Sequence, residues 1–197
     1  MNFLAHLYLS KNNKNILIGN FIADAVKGNK HKEYPSEIQA GILLHREIDN
    51  YTDTHPIVRK SKRRLHERYN HYDGVIIDIL YDHYLAENWL NYSETPLEIY
   101  AENTYTFLQE NIDIFPEKIQ KMLPYMIEYN WLVAYASKEG IERVLIGMNK
   151  RTKGISKMNL AIEDLNLYYK EFEQDFTAFF EDLKNFTDEK TSLLLSK

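Results

Sequence analysis

The chain has 197 residues, 44% of them hydrophobic, a net charge of −5 and no cysteine. That length suits one domain with a real core. The missing cysteine excludes a disulfide framework, a thiolate zinc site and a cysteine nucleophile, and it suits a reducing compartment. No apolar run reaches the roughly eighteen residues of a membrane span. The opening MNFLAHLYLS lacks the basic start of a signal peptide, so a cytoplasmic protein without a membrane segment is expected.

Helical periodicity runs from end to end, and no alternating strand interrupts it. The expected helices are 3–10, 15–26, 35–54, 56–70, 74–92, 96–114, 116–136, 138–150 and 157–186. Pro35, Pro56, Pro96 and Pro116 stand where helices begin, and Gly28, Gly74, Gly140 and Gly154 fall in gaps. In the last helix Leu160, Leu165, Leu167, Tyr168, Phe172, Phe176, Phe179, Phe180, Leu183 and Phe186 mark an apolar stripe expected to pack on the body. No repeat or composition break divides the chain. The expectation is one all-α domain over residues 1–190, a helical bundle with a long C-terminal helix, and a tail over 191–197 that frays.

The chemistry-bearing residues are unevenly placed. All seven histidines lie within the first 83 residues, among aspartates at helical spacing. In GILLHREIDNYTDTHP, His45, Asp49 and Asp53 are four apart; at ~100° per residue they share one helix face, beside Ile42, Leu44 and Ile48. Imidazole and carboxylate at the edge of an apolar face cost desolvation unless a cation compensates both. A core histidine with solvated aspartates explains that helix equally well. A second helix, DGVIIDILYDHYLAENWL, carries Asp78, Asp82 and His83 among core residues and tips the balance toward a metal. His6 interrupts the apolar FLAHLYL. Asp24 sits at a helix C-terminus, where a carboxylate opposes the dipole. His31, His66 and His71 lie in polar surroundings and are expected at the surface, and His55 caps a helix junction. No nucleophile elbow or glycine-rich phosphate loop is present.

Charge is also uneven: residues 1–64 carry a net +5 and the rest −10, with much of the excess in RKSKRR, Arg59 to Arg64. Such a run is either a solvated helix face or a dock for an acidic partner. The acidic remainder argues against nucleic acid.

Several of these segments, in order, resemble the acyl carrier protein phosphodiesterase family: MNFLAHLYLS, GNFIADAVKG, GILLHREIDNYTDTHP, IDILYDHYLAENW and VLIGMNKR. The resemblance implies kinship with the helical HD-domain phosphohydrolases and a preference for manganese. It also implies hydrolysis of holo-acyl carrier protein, in fatty acid biosynthesis, to apo-acyl carrier protein and 4′-phosphopantetheine. This chain has Asp82–His83, the reverse of the usual His–Asp dyad.

On that footing, His45, Asp82 and His83, with Asp24 or His6, are expected to hold one divalent ion, Mn²⁺ or else Mg²⁺ or Fe²⁺. Asp49 or Asp78 is expected to take a proton from water or to orient a ligand. Arg46 and Arg151 are the candidate partners of the phosphate oxygens. Arg59, Lys60, Lys62, Arg63 and Arg64 are expected to dock the acidic carrier protein. Two alternatives stand beside this reading: a related phosphohydrolase of nucleotides or other small phosphoesters, and a non-catalytic helical binder of an acidic partner. The sequence gives no oligomeric state.

Overall fold

A computed structural model of the chain describes residues 1–196. Among the described residues there are eleven α-helices and no strand, so the all-α expectation holds. The helices are α1 (Phe3–Leu9), α2 (Lys14–Ile22), α3 (Ser36–Thr54), α4 (Pro56–Tyr69), α5 (Asp73–Glu87), α6 (Leu97–Glu110), α7 (Glu117–Glu128), α8 (Trp131–Ala134), α9 (Lys138–Arg151), α10 (Ala161–Leu167) and α11 (Tyr169–Leu195). No helix among the described residues is long and apolar enough to cross a membrane.

Four of the five prolines behave as helix starters, and Pro124 lies inside α7. Pro56 is the first residue of α4, and Pro35, Pro96 and Pro116 sit one position before α3, α6 and α7. His55 caps α4, its Nδ1 accepting from the Ile57 N–H at 3.3 Å. Two expected helices are divided. The segment 116–136 breaks at Asn130, which turns left-handed (φ 43°) between α7 and α8. Asparagine tolerates that conformation better than most residues. The segment 157–186 breaks at Tyr168 (φ −114°, ψ 28°), and α11 then runs on to Leu195, through residues where fraying is expected.

Two packing features place the site. The first is the contact of α2 with α3, where Gly19 meets Gly41. A Cβ built on Gly19 would lie 2.2 Å from the Ile38 carbonyl oxygen, and one on Gly41 would lie 2.4 Å from that of Ile16. Only glycine allows backbones this close. Asn20 follows Gly19, and His45 lies one turn beyond Gly41, so this contact presses them together. The second is α11, which lies on α3, α4 and α5 and buries Phe172, Phe176, Phe179, Phe180 and Leu183. At roughly 1.5–3 kcal/mol per fully buried apolar side chain, that stripe is a main anchor of the bundle.

Candidate metal centre

His6 from α1, Asn20 from α2, and His45 and Asp49 from α3 converge; Asp24, in the 3₁₀ turn Ala23–Ala25 after α2, closes one side. The two imidazoles stack with centroids 3.9 Å apart and planes 16° from parallel. His6 Nε2 lies 3.1 Å from Asp49 Oδ1. His45 Nε2 lies 3.2 Å from Asp49 Oδ2 and 3.3 Å from Asp24 Oδ1. Ligand atoms of His6, His45 and Asp49 all fall within 4.8 Å of one another.

Asn20, fully buried, decides what these nitrogens carry. Its Nδ2 donates to the His6 carbonyl oxygen at 2.8 Å and to Ser10 Oγ at 3.1 Å. The carbonyl can only accept, so the amide cannot be turned round. Its Oδ1 therefore accepts from His6 Nδ1 (2.8 Å) and His45 Nδ1 (3.1 Å), and the Asn20 backbone oxygen accepts from His45 Nδ1 as well (2.9 Å). Both rings thus carry hydrogen on Nδ1. In the neutral state each Nε2 is a bare lone pair aimed at a carboxylate. Acceptors facing acceptors at 3.1–3.3 Å need a positive charge between them. A proton on Nε2 supplies one, and a divalent ion another. The spacing also suits adjacent ligands of an octahedral ion, which at ~2.1 Å bond lengths lie ~3 Å apart. The donor set fits a divalent metal.

The titration behaviour follows from the same contacts. Burial depresses the His6 imidazolium, the charge on His45 adds to it, and the pKa falls to about 4. Burial would also depress His45, but hydrogen bonds and charge from Asp24 and Asp49 outweigh it and raise the pKa to about 9. Burial pushes Asp49 upward, yet the two histidines hold its carboxyl well below the usual range. Asp24 is lowered chiefly by its bond to His45. Without metal near neutral pH, His45 is the cation, His6 is neutral and both carboxylates are ionised.

The other sequence candidates lie elsewhere. Asp82, which the sequence reading placed among the ligands, accepts from the backbone N–H groups of Asn2 (3.3 Å), Leu4 (2.7 Å) and Ala5 (3.4 Å). It caps α1, satisfying donors that a helix start leaves without partners. Burial raises its pKa to about 7. His83, fully buried, points another way: its Nδ1 donates to the Tyr135 carbonyl oxygen at 2.7 Å, and its Nε2 meets Tyr169 Oη at 3.0 Å. Adjacent residues on a helix diverge by ~100°, and here the cluster takes neither side chain. Asp78 Oδ1 lies 3.0 Å from the Met1 amino group, which is 3.7 Å from Asp49 Oδ1. Arg46 donates to the carbonyl oxygens of Val26 (2.8 Å) and Gly28 (3.1 Å), so it fastens the loop that bears Asp24. Arg151 is exposed at the end of α9, against Met148 Sδ at 3.7 Å, and α9 packs mainly on the 3₁₀ turn Met158–Leu160, then on α10 and α5. His31, expected at the surface, is buried, with Nδ1 3.2 Å from the Gly28 carbonyl oxygen.

The family profile described as acyl carrier protein phosphodiesterase matches residues 1–183. The chain belongs to that family. It is 34% identical over 181 residues to the acyl carrier protein phosphodiesterase of Pectobacterium atrosepticum, covering 91% of this chain and 94% of that one. It is 32% identical to the enzyme of that name from Photorhabdus laumondii, covering 91% of both chains. The Yersinia pestis protein of the same name is 36% identical over 155 residues, 78% of this chain and 80% of its own. No solved structure matches the chain.

For this member of the acyl carrier protein phosphodiesterase family, the residue that sequence reasoning missed is Asn20. Its signal was available: an amide inside ILIGNFIA, the one strongly polar side chain in an apolar run. A buried amide needs partners on every side, and here those partners include both ring nitrogens.

Proposed function

We propose that the chain is a metal-dependent hydrolase of holo-acyl carrier protein, releasing 4′-phosphopantetheine and leaving apo-acyl carrier protein. One observation carries the metal half of this reading: Asn20 sets both imidazoles so that two bare Nε2 atoms face Asp49 and Asp24. Membership of the family and the names of its relatives carry the substrate half.

His6, His45 and Asp49 hold the ion, and Asp24 completes the set from the rim. A shell of imidazole and carboxylate suits Mn²⁺, with Fe²⁺ or Mg²⁺ as substitutes. The bound ion supplies Lewis acidity toward water and the phosphoryl oxygen. Asp24, with a side chain 67% exposed, is the carboxylate of the set most open to an incoming water, and it takes the water's proton. Water oxygen bonds to phosphorus, the bond from phosphorus to the serine oxygen breaks, and a proton returns to that oxygen. Arg46 acts at one remove, holding the Asp24 loop. Asp82 positions α1, and so His6, by capping. A helical site of two histidines and an aspartate also supports kinship with the HD-domain phosphohydrolases, and work in the cytoplasm belongs to the same reading.

Alanine scanning with holo-acyl carrier protein as substrate tests this assignment. Replacing His6, His45 or Asp49 removes phosphopantetheine release at saturating Mn²⁺, whereas His83→Gln, in a variant shown to be folded, keeps it. Full activity in all three alanine variants contradicts the assignment.

A further inference from the structure

The basic run Arg59–Arg64 does not act as one patch. Lys60 Nζ lies 2.8 Å from Asp175 Oδ1 and Arg64 Nη1 lies 2.6 Å from Asp175 Oδ2, with Ser61 Oγ donating to the same carboxylate at 2.9 Å. Asp175 is buried on α11, and the Arg64 guanidinium also lies over the Phe172 ring, 5.3 Å from its centroid. These two cations fasten α4 to α11. The others turn to a different face. Arg59, Lys62 and Arg63, with His66 and Asp73, line a groove of about 480 Å³ between α4 and the start of α5.

The charge within that groove is specific. Lys62 Nζ pairs with Asp53 at 3.3 Å, and His66 Nδ1 with Asp73 at 2.7 Å. Arg59 and Arg63 are exposed, and among the described residues neither has a carboxylate partner. They stand four residues apart, on one helix face and ~6 Å apart along the axis. Two guanidinium forks at that spacing match two carboxylates one turn apart on another helix.

Its position also matters. Asp53, which Lys62 grips, lies one turn beyond Asp49 on α3, and Gly74, whose Cβ position is 3.2 Å from Lys62 Nζ, lies one turn before Asp78 on α5. The groove therefore begins a helical turn from the metal centre.

We propose that this groove docks an acidic helix of the carrier protein, gripped by Arg59 and Arg63 with Lys62 at the inner edge, and that Lys60 and Arg64 take no part. The proposal rests on the reading that holo-acyl carrier protein is the substrate.

The test uses Arg59→Ala/Arg63→Ala, Arg59→Glu/Arg63→Glu and Lys60→Ala in the full chain. KM is measured for holo-carrier protein, and binding is titrated with apo-carrier protein, which lacks the phosphodiester. The double alanine variant is expected to raise KM and weaken apo-carrier binding ~10-fold, and charge reversal further, while Lys60→Ala matches wild type. Unchanged apo-carrier binding in the folded double variants overturns the groove, whatever the state of catalysis. An equal loss in Lys60→Ala overturns the division of the patch. Should wild type release no phosphopantetheine, the functional reading falls, and the apo-carrier titration still decides the groove.

Discussion

The side-chain arrangement around Asn20 has consequences that differ from residue to residue. Removing the amide, as in Asn20→Leu, frees both rings to rotate and change tautomer, while every ligand atom remains. Metal affinity should fall ~10–100-fold, the usual cost of losing a group that orients a ligand. Nitrogen-15 spectra of the two imidazoles should lose the uniform Nδ1–H state. Retained affinity would remove Asn20 from the account. Protons give a second test. Of the proposed ligands only His45 is still protonated near neutrality, so metal binding at pH 7 should release about one proton, declining as pH passes about 9. Calorimetry in buffers of different ionisation heat measures it, and zero release at pH 7 contradicts the assignment. The same shift affects folding: the folded pKa lies above the unfolded 6.5, so the contribution is complete below 6.5. In metal-free protein it disappears as pH rises through about 9. Asp82 should behave differently. Asp82→Ala strands three N–H groups at the start of α1, two of them on buried residues, and should cost about 3 kcal/mol in urea unfolding with or without metal. An Asp82 that stabilised only metal-loaded protein would be a ligand after all.

At the scale of elements, the Gly19–Gly41 contact does for the backbone what Asn20 does for the side chains. Gly19→Ala or Gly41→Ala forces a methyl against a backbone carbonyl oxygen of the facing helix, and backbone cannot yield as a side chain does. The cost should reach or exceed about 3 kcal/mol, the upper part of the overpacking range. Metal affinity should fall with it, because the same shift moves Asn20 from His45. Loss of stability with affinity unchanged would separate the contact from the site. Periodicity and proline made α3, α4 and the starts of α6 and α7 legible in the sequence. The breaks at Asn130 and Tyr168 were not legible, because a single residue leaving helical geometry does not disturb the apolar stripe on either side. Likewise the spacing of His45 and Asp49 was enough to place both at one site. Asp82 and His83 carry the same residue types on an equally buried helix, and only three-dimensional neighbours distinguish a helix cap and a core histidine from ligands. Chemistry that depends on which helix lies opposite is absent from local spacing.

For the whole molecule, two separate charge problems are solved by different parts. The chain is net negative, with its positive excess in the first 64 residues. Part of that excess is used internally, on Asp175, and part, at Arg59 and Arg63, has no carboxylate partner among the described residues. Association with an acidic partner should then weaken as salt rises, since exposed pairs are screened over ~8–10 Å at ordinary ionic strength. The histidine-rich N-terminal half supplies the proposed metal ligands His6, His45 and Asp49. The histidine-free remainder supplies α11, whose aromatic stripe clamps α3, α4 and α5 in register. The proposed reaction is cleavage of the phosphodiester of holo-acyl carrier protein by this bundle with a divalent ion bound. Its most direct test is the intact mass of purified holo-acyl carrier protein after incubation with the chain, once with Mn²⁺ and once with excess chelator. Loss of the phosphopantetheine mass is expected with Mn²⁺ and none with chelator; an unchanged carrier in the presence of folded, metal-loaded protein would contradict the proposed reaction.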